Sequence, residues 1–134
     1  MPGNAPYYPG MRSVLSTAVS DYAAAADGRS LSARFLLPSS SPIFGGHFPG
    51  MPVIPAVYQV ALCAEAVGRL GPYSLAGIVK SRFSRMCVPE TAYSLRIALA
   101  EKEHGTEASC GIYNTEDNGV CSKIVLMFTN SFCR

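Results

Sequence analysis

Apolar residues alternate with polar ones in Leu95, Ile97, Leu99 and again in Ile124, Leu126, Phe128. That period of two is the mark of half-buried antiparallel strands. Four runs read as strands, at about residues 75–83, 93–101, 107–114 and 120–128. Val88-Pro89-Glu90, His104-Gly105 and Asp117-Asn118-Gly119 punctuate them. Two shorter runs, 19–26 and 30–37, flank Asp27-Gly28, a pair that favours a tight hairpin. The first of these is rich in alanine and also fits a helix. Residues 56–70 read AVYQVALCAEAVGRL, in which Gln59, Glu65 and Arg69 are the strongly polar positions. A segment of helix formers that is apolar nearly all round predicts a buried helix, stopped by Gly71-Pro72.

Between the second run and this helix, residues 38–55 hold five prolines and three glycines, which excludes regular structure. Ordered loops of that length in small domains are often functional. Two strands, a long loop, one buried helix and four more strands give an α+β domain, one antiparallel sheet wrapped around one helix. The expectation is a single domain over residues 1–134. Its first thirteen residues, with three prolines and two glycines, form an irregular tail.

Composition narrows the function classes. The chain has 134 residues, 49% apolar and 15% charged, enough to bury a core without staples. A formal charge of +2 lacks the dense basic face of a nucleic-acid binder. No run approaches the roughly 20 apolar residues of a membrane span. The opening MPGNAPYYPGMR has neither the basic start nor the apolar stretch of a signal peptide, so a cytoplasmic protein is expected. Cys63, Cys87, Cys110, Cys121 and Cys133 are odd in number and never spaced as CxxC, which points to reduced thiols and to no metal site.

The densest chemical signal is Phe44-Gly45-Gly46-His47-Phe48-Pro49-Gly50-Met51-Pro52-Val53-Ile54-Pro55. Glycines and prolines fix His47 on a stiff loop just before the helix. The amides of Ala56 and Val57 then start that helix with free N–H groups at the positive end of its dipole. A base beside an oxyanion-stabilising amide pair suits proton abstraction next to a carbonyl. A loop histidine satisfied by backbone carbonyls accounts for the same residues equally well.

The chain resembles the hot-dog-fold 3-hydroxyacyl-[acyl-carrier-protein] dehydratases. Phe44, Gly46, His47, Phe48, Pro49, Gly50, Pro52 and Pro55 fit that family's loop. The stretch from Ala76 to Arg85 and the pair Val88-Pro89 are similar to the strand that follows its helix. The likeness spans roughly residues 18–128. It implies a homodimer, or a heterodimer with a related subunit, whose two sheets join edge to edge. It further implies a substrate thioester on acyl carrier protein or coenzyme A, with no resident cofactor, since phosphopantetheine arrives with the carrier. His47 is then the base that takes a proton from C2. The amides of Ala56 and Val57, with the backbone of Gly46, hold the thioester oxygen. Phe48, Pro55, Tyr58, Gln59 and Ala61 are then expected to line an apolar acyl tunnel, although an ordinary core role suits Tyr58 equally well.

Two positions depart from the family pattern. Its glycine after the last loop proline is Ala56. Its catalytic carboxylate, fourteen positions after the histidine and contributed by the other protomer, is Ala61. Glu65 lies one helical turn further on the same face. It is one substitute for the missing acid, or else the i,i+4 partner of Arg69. A carboxylate from a related subunit is a second substitute. A different reaction on the same thioester, as in a hot-dog thioesterase, needs none. Lys80, Arg82 and Arg85 are read as a basic cluster on one strand, either a carrier-protein contact or a solvated face. His104 sits in a charged hairpin tip, and Cys63 reads as a small core residue.

Overall fold

The computed structural model describes residues 18–41 and 53–130. Six strands and one helix follow in the order β1 (Val19–Ala24), β2 (Ser30–Phe35), α1 (Ala56–Val67), β3 (Tyr73–Phe83), β4 (Tyr93–Lys102), β5 (Gly105–Asn114) and β6 (Val120–Asn130). All pair antiparallel in one sheet of order β1-β2-β4-β5-β6-β3, with β1 and β3 at its edges.

Turn chemistry makes the hairpins. Gly28 takes φ 71°, and its N–H reaches the Ala25 carbonyl at 2.9 Å, so Asp27-Gly28 closes β1 onto β2. Gly105 starts β5 at φ 151°, where a β-carbon would run into the carbonyl oxygen of Phe128. Asn118 adopts φ 59° in the β5–β6 turn, a conformation that asparagine tolerates.

Alternation is realised as the sequence requires. Tyr93, Leu95, Ile97 and Leu99 are buried on one face of β4, while Arg96, Ala98 and Ala100 face out. Leu31, Ala33 and Phe35 of β2 and Ile124, Leu126 and Phe128 of β6 join the same core. Leu62, Cys63, Ala66 and Val67 of α1 close it from the concave side. Phe35 stacks on Tyr93 with ring centroids 5.3 Å apart.

Three expectations change. The helix ends at Val67, three residues early. Gly68 caps it with its N–H on the Ala64 carbonyl, and Arg69 and Leu70 turn tightly through bonds to Ala66 and Val67. The helix is also not buried all round: Ala56 and Val57 are exposed, and Val60 and Ala64 are half-buried. One side of it packs on the sheet, and within this chain nothing described covers the other. Finally, β3 is exposed at every position except half-buried Tyr73 and Gly77, its apolar residues included, because it is an edge strand. No helix among the described residues is long and apolar enough to cross a membrane.

Candidate active site

The start of α1 is chemically open. Pro55 is the N-cap residue in an extended conformation (φ −62°, ψ 155°); it has no donor of its own and no side chain caps this end. Its carbonyl accepts the N–H groups of Tyr58 at 3.0 Å and Gln59 at 3.2 Å. The N–H groups of Ala56 and Val57 have no partner among the described residues, and the first turn holds no acidic side chain. Two free donors at the positive end of the helix, on exposed residues, favour an anionic oxygen there.

A hydrogen-bonded frame holds this helix end. Gln59 is 3% exposed, and its Nε2 donates to the Ile54 carbonyl at 3.0 Å. The hydroxyl of buried Ser122 on β6 donates to Gln59 Oε1. The N–H of Ile54 donates to the Cys87 carbonyl at 2.7 Å. The segment after β3 thereby grips the chain entering the helix. It grips the other side of the long loop as well. Glu90 donates its N–H to the Leu37 carbonyl at 2.8 Å, and its carboxylate accepts the Ser39 N–H at 2.6 Å. Tyr93 steadies that segment by accepting the Val88 N–H at 2.8 Å. Residues 84–90 thus anchor the described residues on both sides of positions 42–52. None of Ser122, Cys87 and Glu90 was singled out from sequence. A Val-Pro-Glu turn was visible there, but which strands it would touch depends on register.

His47, Gly46 and Phe48 lie outside the described residues. Pro55 and Tyr58 are half-buried, Tyr58 against the core. Gln59 has its amide committed to the frame. Ala61 is 6% exposed and belongs to the core cluster. Glu65 lies roughly 13 Å along the axis from Ala56. It is near enough to Tyr22 of β1 for its charge to be felt there, where the Arg69 guanidinium also covers the ring at 4.2 Å. Burial raises the Tyr22 phenol above its ordinary value, and Arg69 opposes that rise. Glu65 therefore stands at the far end of the helix from the free amides.

The three basic residues do not form one cluster. Lys80 and Arg82 share the outer face of β3, paired with Val125 and Lys123. Arg85 lies beyond the strand, because Ser84 and Arg85 both turn their N–H groups to the Cys121 carbonyl. It is bound to Asp117 of the β5–β6 turn at 3.0 Å. The Gly119 N–H and Arg85 together hold the Asp117 carboxyl below its ordinary value. On the helix side of β3, Leu75, Ile78 and Phe83 are 45%, 55% and 42% exposed, and Val57 of α1 is 44% exposed. Among the described residues, this apolar flank lies beside a sheet edge that no strand pairs.

The other sequence candidates have ordinary places. His104 is exposed in the β4–β5 turn. Cys63 is fully buried, and its hydrogen bond with Cys110, with burial, pushes the thiol well up, so it is a core residue and no nucleophile near neutral pH. Among the described residues no group of His, Cys, Asp and Glu could hold a metal ion.

One helix cradled by a six-stranded antiparallel sheet, with the helix start left open, is the hot-dog fold. Comparison with solved structures agrees. The dehydratase heterocomplex ApeI:P from Xenorhabdus doucetiae superposes with a TM-score of 0.65 at 20% identity, covering 77% of this chain and 89% of that one. The E. coli PaaI protein from the phenylacetic acid degradation operon gives 0.65 at 8% identity, with 90% of each chain covered. In sequence, the ApeI-like family, described as ApeI dehydratase, matches residues 23–124. The 3-hydroxyacyl-[acyl-carrier-protein] dehydratase FabZ of Klebsiella pneumoniae subsp. pneumoniae is 30% identical over 111 residues, 75% of this chain and 74% of FabZ. FabZ of Salmonella arizonae matches to the same extent. The chain belongs to the ApeI-like, FabZ-related family of hot-dog dehydratases.

Proposed function

We propose that this chain is the histidine-bearing subunit of a dehydratase for 3-hydroxyacyl thioesters borne on acyl carrier protein, completed by a carboxylate from a partner subunit. His47 takes a proton from C2, the electrons move through the thioester, and the C3 hydroxyl leaves as water once the partner's carboxylic acid has protonated it. The product is a 2-enoyl thioester. The amides of Ala56 and Val57 stabilise the thioester oxygen as negative charge builds on it, without reorganisation. Phosphopantetheine comes in on the substrate, and no step calls for a resident cofactor.

The observation that carries this reading is the pairing of an open, uncapped start of α1 with alanine at position 61. Alanine stands where the family's acid is expected, and the unbonded amides of Ala56 and Val57 support an oxyanion role. Glu65 is a poor substitute, since it sits by Tyr22 at the other end. The apolar flank of β3 and α1 supports a shared site, as it offers the partner both a free edge and a greasy surface. Lys80 and Arg82 suit an acidic carrier.

The test offers a 3-hydroxyacyl carrier protein to this chain alone, to a carboxylate-bearing homologue whose own histidine is replaced by Asn, and to the mixture. Enoyl thioester formed rapidly only in the mixture supports the proposal, with a gain of about 10²–10⁴-fold over either subunit. Full turnover by this chain alone overturns the need for a partner carboxylate. Release of free acid overturns dehydration in favour of thioester hydrolysis.

A further inference from the structure

The outer face of the sheet, remote from the open start of α1, carries an unneutralised basic site. Arg96 of β4, Gly111 of β5, Lys123 of β6 and Arg82 of β3 lie opposite one another in a single cross-strand row. Arg82 and Lys123 are thus like charges placed directly opposite, which is destabilising unless something neutralises them. Tyr113 lies over Gly111, where a β-carbon would come within 2.7 Å of its ring. The Arg96 guanidinium is 4.7 Å and the Lys123 ammonium 5.4 Å from the centroid of that ring. Lys123 Nζ also donates to the Tyr113 hydroxyl at 2.9 Å, and Arg96 makes a long bond of 3.5 Å to Asn118 Oδ1. The ion pairs Arg29–Glu101 and Arg85–Asp117 involve neither cation. The carboxylate on this face, Glu107, belongs to another row, opposite Ala100 and Met127. Beside the ring is a cleft of about 230 Å³, floored by Ala98, Ser109 and Gly111.

We infer that Arg96, Tyr113 and Lys123 form a binding site for a phosphate-type group of a small molecule. The donor set fits. A guanidinium presents a planar fork, and an ammonium that spends one N–H on Tyr113 keeps two. A phenol oxygen that accepts from Lys123 retains its own O–H to donate, and the exposed Ser109 hydroxyl adds a further donor. Several donors converging from different directions onto a small-residue floor match a tetrahedral oxyanion better than a planar carboxylate. The tyrosine holds both charges in place, with the Arg96 guanidinium near its ring and the Lys123 ammonium at its hydroxyl.

The test is titration of ¹⁵N-labelled full-length protein with sodium pyrophosphate at constant ionic strength, following the amides of Ser109, Gly111 and Tyr113. Saturable shifts are expected, with Arg96→Gln and Lys123→Gln each weakening binding about tenfold, the loss of one charge-assisted contact. Ser109→Glu, which leaves every cation in place, should abolish binding, so the site is testable even if a cation variant unfolds. Sodium acetate should produce no saturable shift. Non-saturating shifts, equal affinity for acetate, or unchanged binding in Ser109→Glu would each overturn the proposal.

Discussion

The carboxylate of Glu90 accepts the backbone N–H of Ser39 at 2.6 Å, joining positions 51 residues apart. Glu90 does this from φ 60°, a left-handed conformation that a non-glycine residue holds only under constraint. Local strain and a charge-assisted clamp therefore occupy one residue, bound to Leu37 and Ser39. Replacing Glu90 by Ala removes the clamp and keeps the strain, whereas Gly removes both. Glu90→Gly should accordingly be more stable than Glu90→Ala by about 1 kcal/mol, or roughly 3 °C in Tm for a domain of this size. Equal melting temperatures for the two variants would show that the backbone there is not strained.

Gln59 is a pin for the helix start. Gln59→Leu strips the buried Ser122 hydroxyl and the Ile54 carbonyl of a partner at once. An unsatisfied buried polar group costs about 1–3 kcal/mol, so a loss of at least that range is expected in chemical denaturation. Ser122→Ala added to Gln59→Leu should recover part of the loss, because it removes one orphaned group. No recovery in the double variant would mean that the two side chains do not depend on each other.

Burial, followed by its interaction with Cys121, pushes the Cys87 thiol up from 9.0 to about 12. The unfolded chain releases this proton near 9 and the folded chain only near 12. The thiol's contribution to stability is whole below pH 9 and fades as pH rises from about 9 to about 12. Stability curves should fall through that window in the native protein and fall less in Cys87→Ala. Parallel curves for the two proteins would contradict this assignment.

β3 presents a free edge of eleven residues with Leu75, Ile78, Val79 and Phe83 exposed. If that edge and flank form the subunit contact, Ile78→Arg should convert the assembly to monomers in sedimentation velocity while the far-UV spectrum stays unchanged. A variant that sediments like the parent places the contact elsewhere.

Most of the fold was legible because its signals are local. Leu95-x-Ile97-x-Leu99 states its own face, Asp27-Gly28 and Asp117-Asn118-Gly119 state their turns, and the AVYQVALC run can hardly be anything but helix. The exceptions depend on what lies beside an element. The apolar residues of β3 look like core residues in sequence, yet they are exposed at an edge. Arg85 reads as a neighbour of Lys80 and Arg82 until the chain bends at Ser84 and delivers it to Asp117. At the candidate site, the open amides of Ala56 and Val57 could be inferred from Pro55, which cannot cap. Ser122, Cys87 and Glu90 carried no such signal: the Val-Pro-Glu turn was visible, but the partners of all three are fixed by strand register.

On the proposed function, dehydration by this chain lacks only an acid. Its most direct measurement is the rate of enoyl-thioester formation by Ala61→Glu without any partner chain, compared with the parent and with Ala61→Glu carrying His47→Asn. Burial at position 61 would favour the protonated carboxyl, which is the form the leaving hydroxyl needs. A gain of about 10²-fold or more is expected, and it should disappear when His47 is also replaced. A folded Ala61→Glu protein that dehydrates no faster than the parent, or whose gain survives His47→Asn, would contradict it.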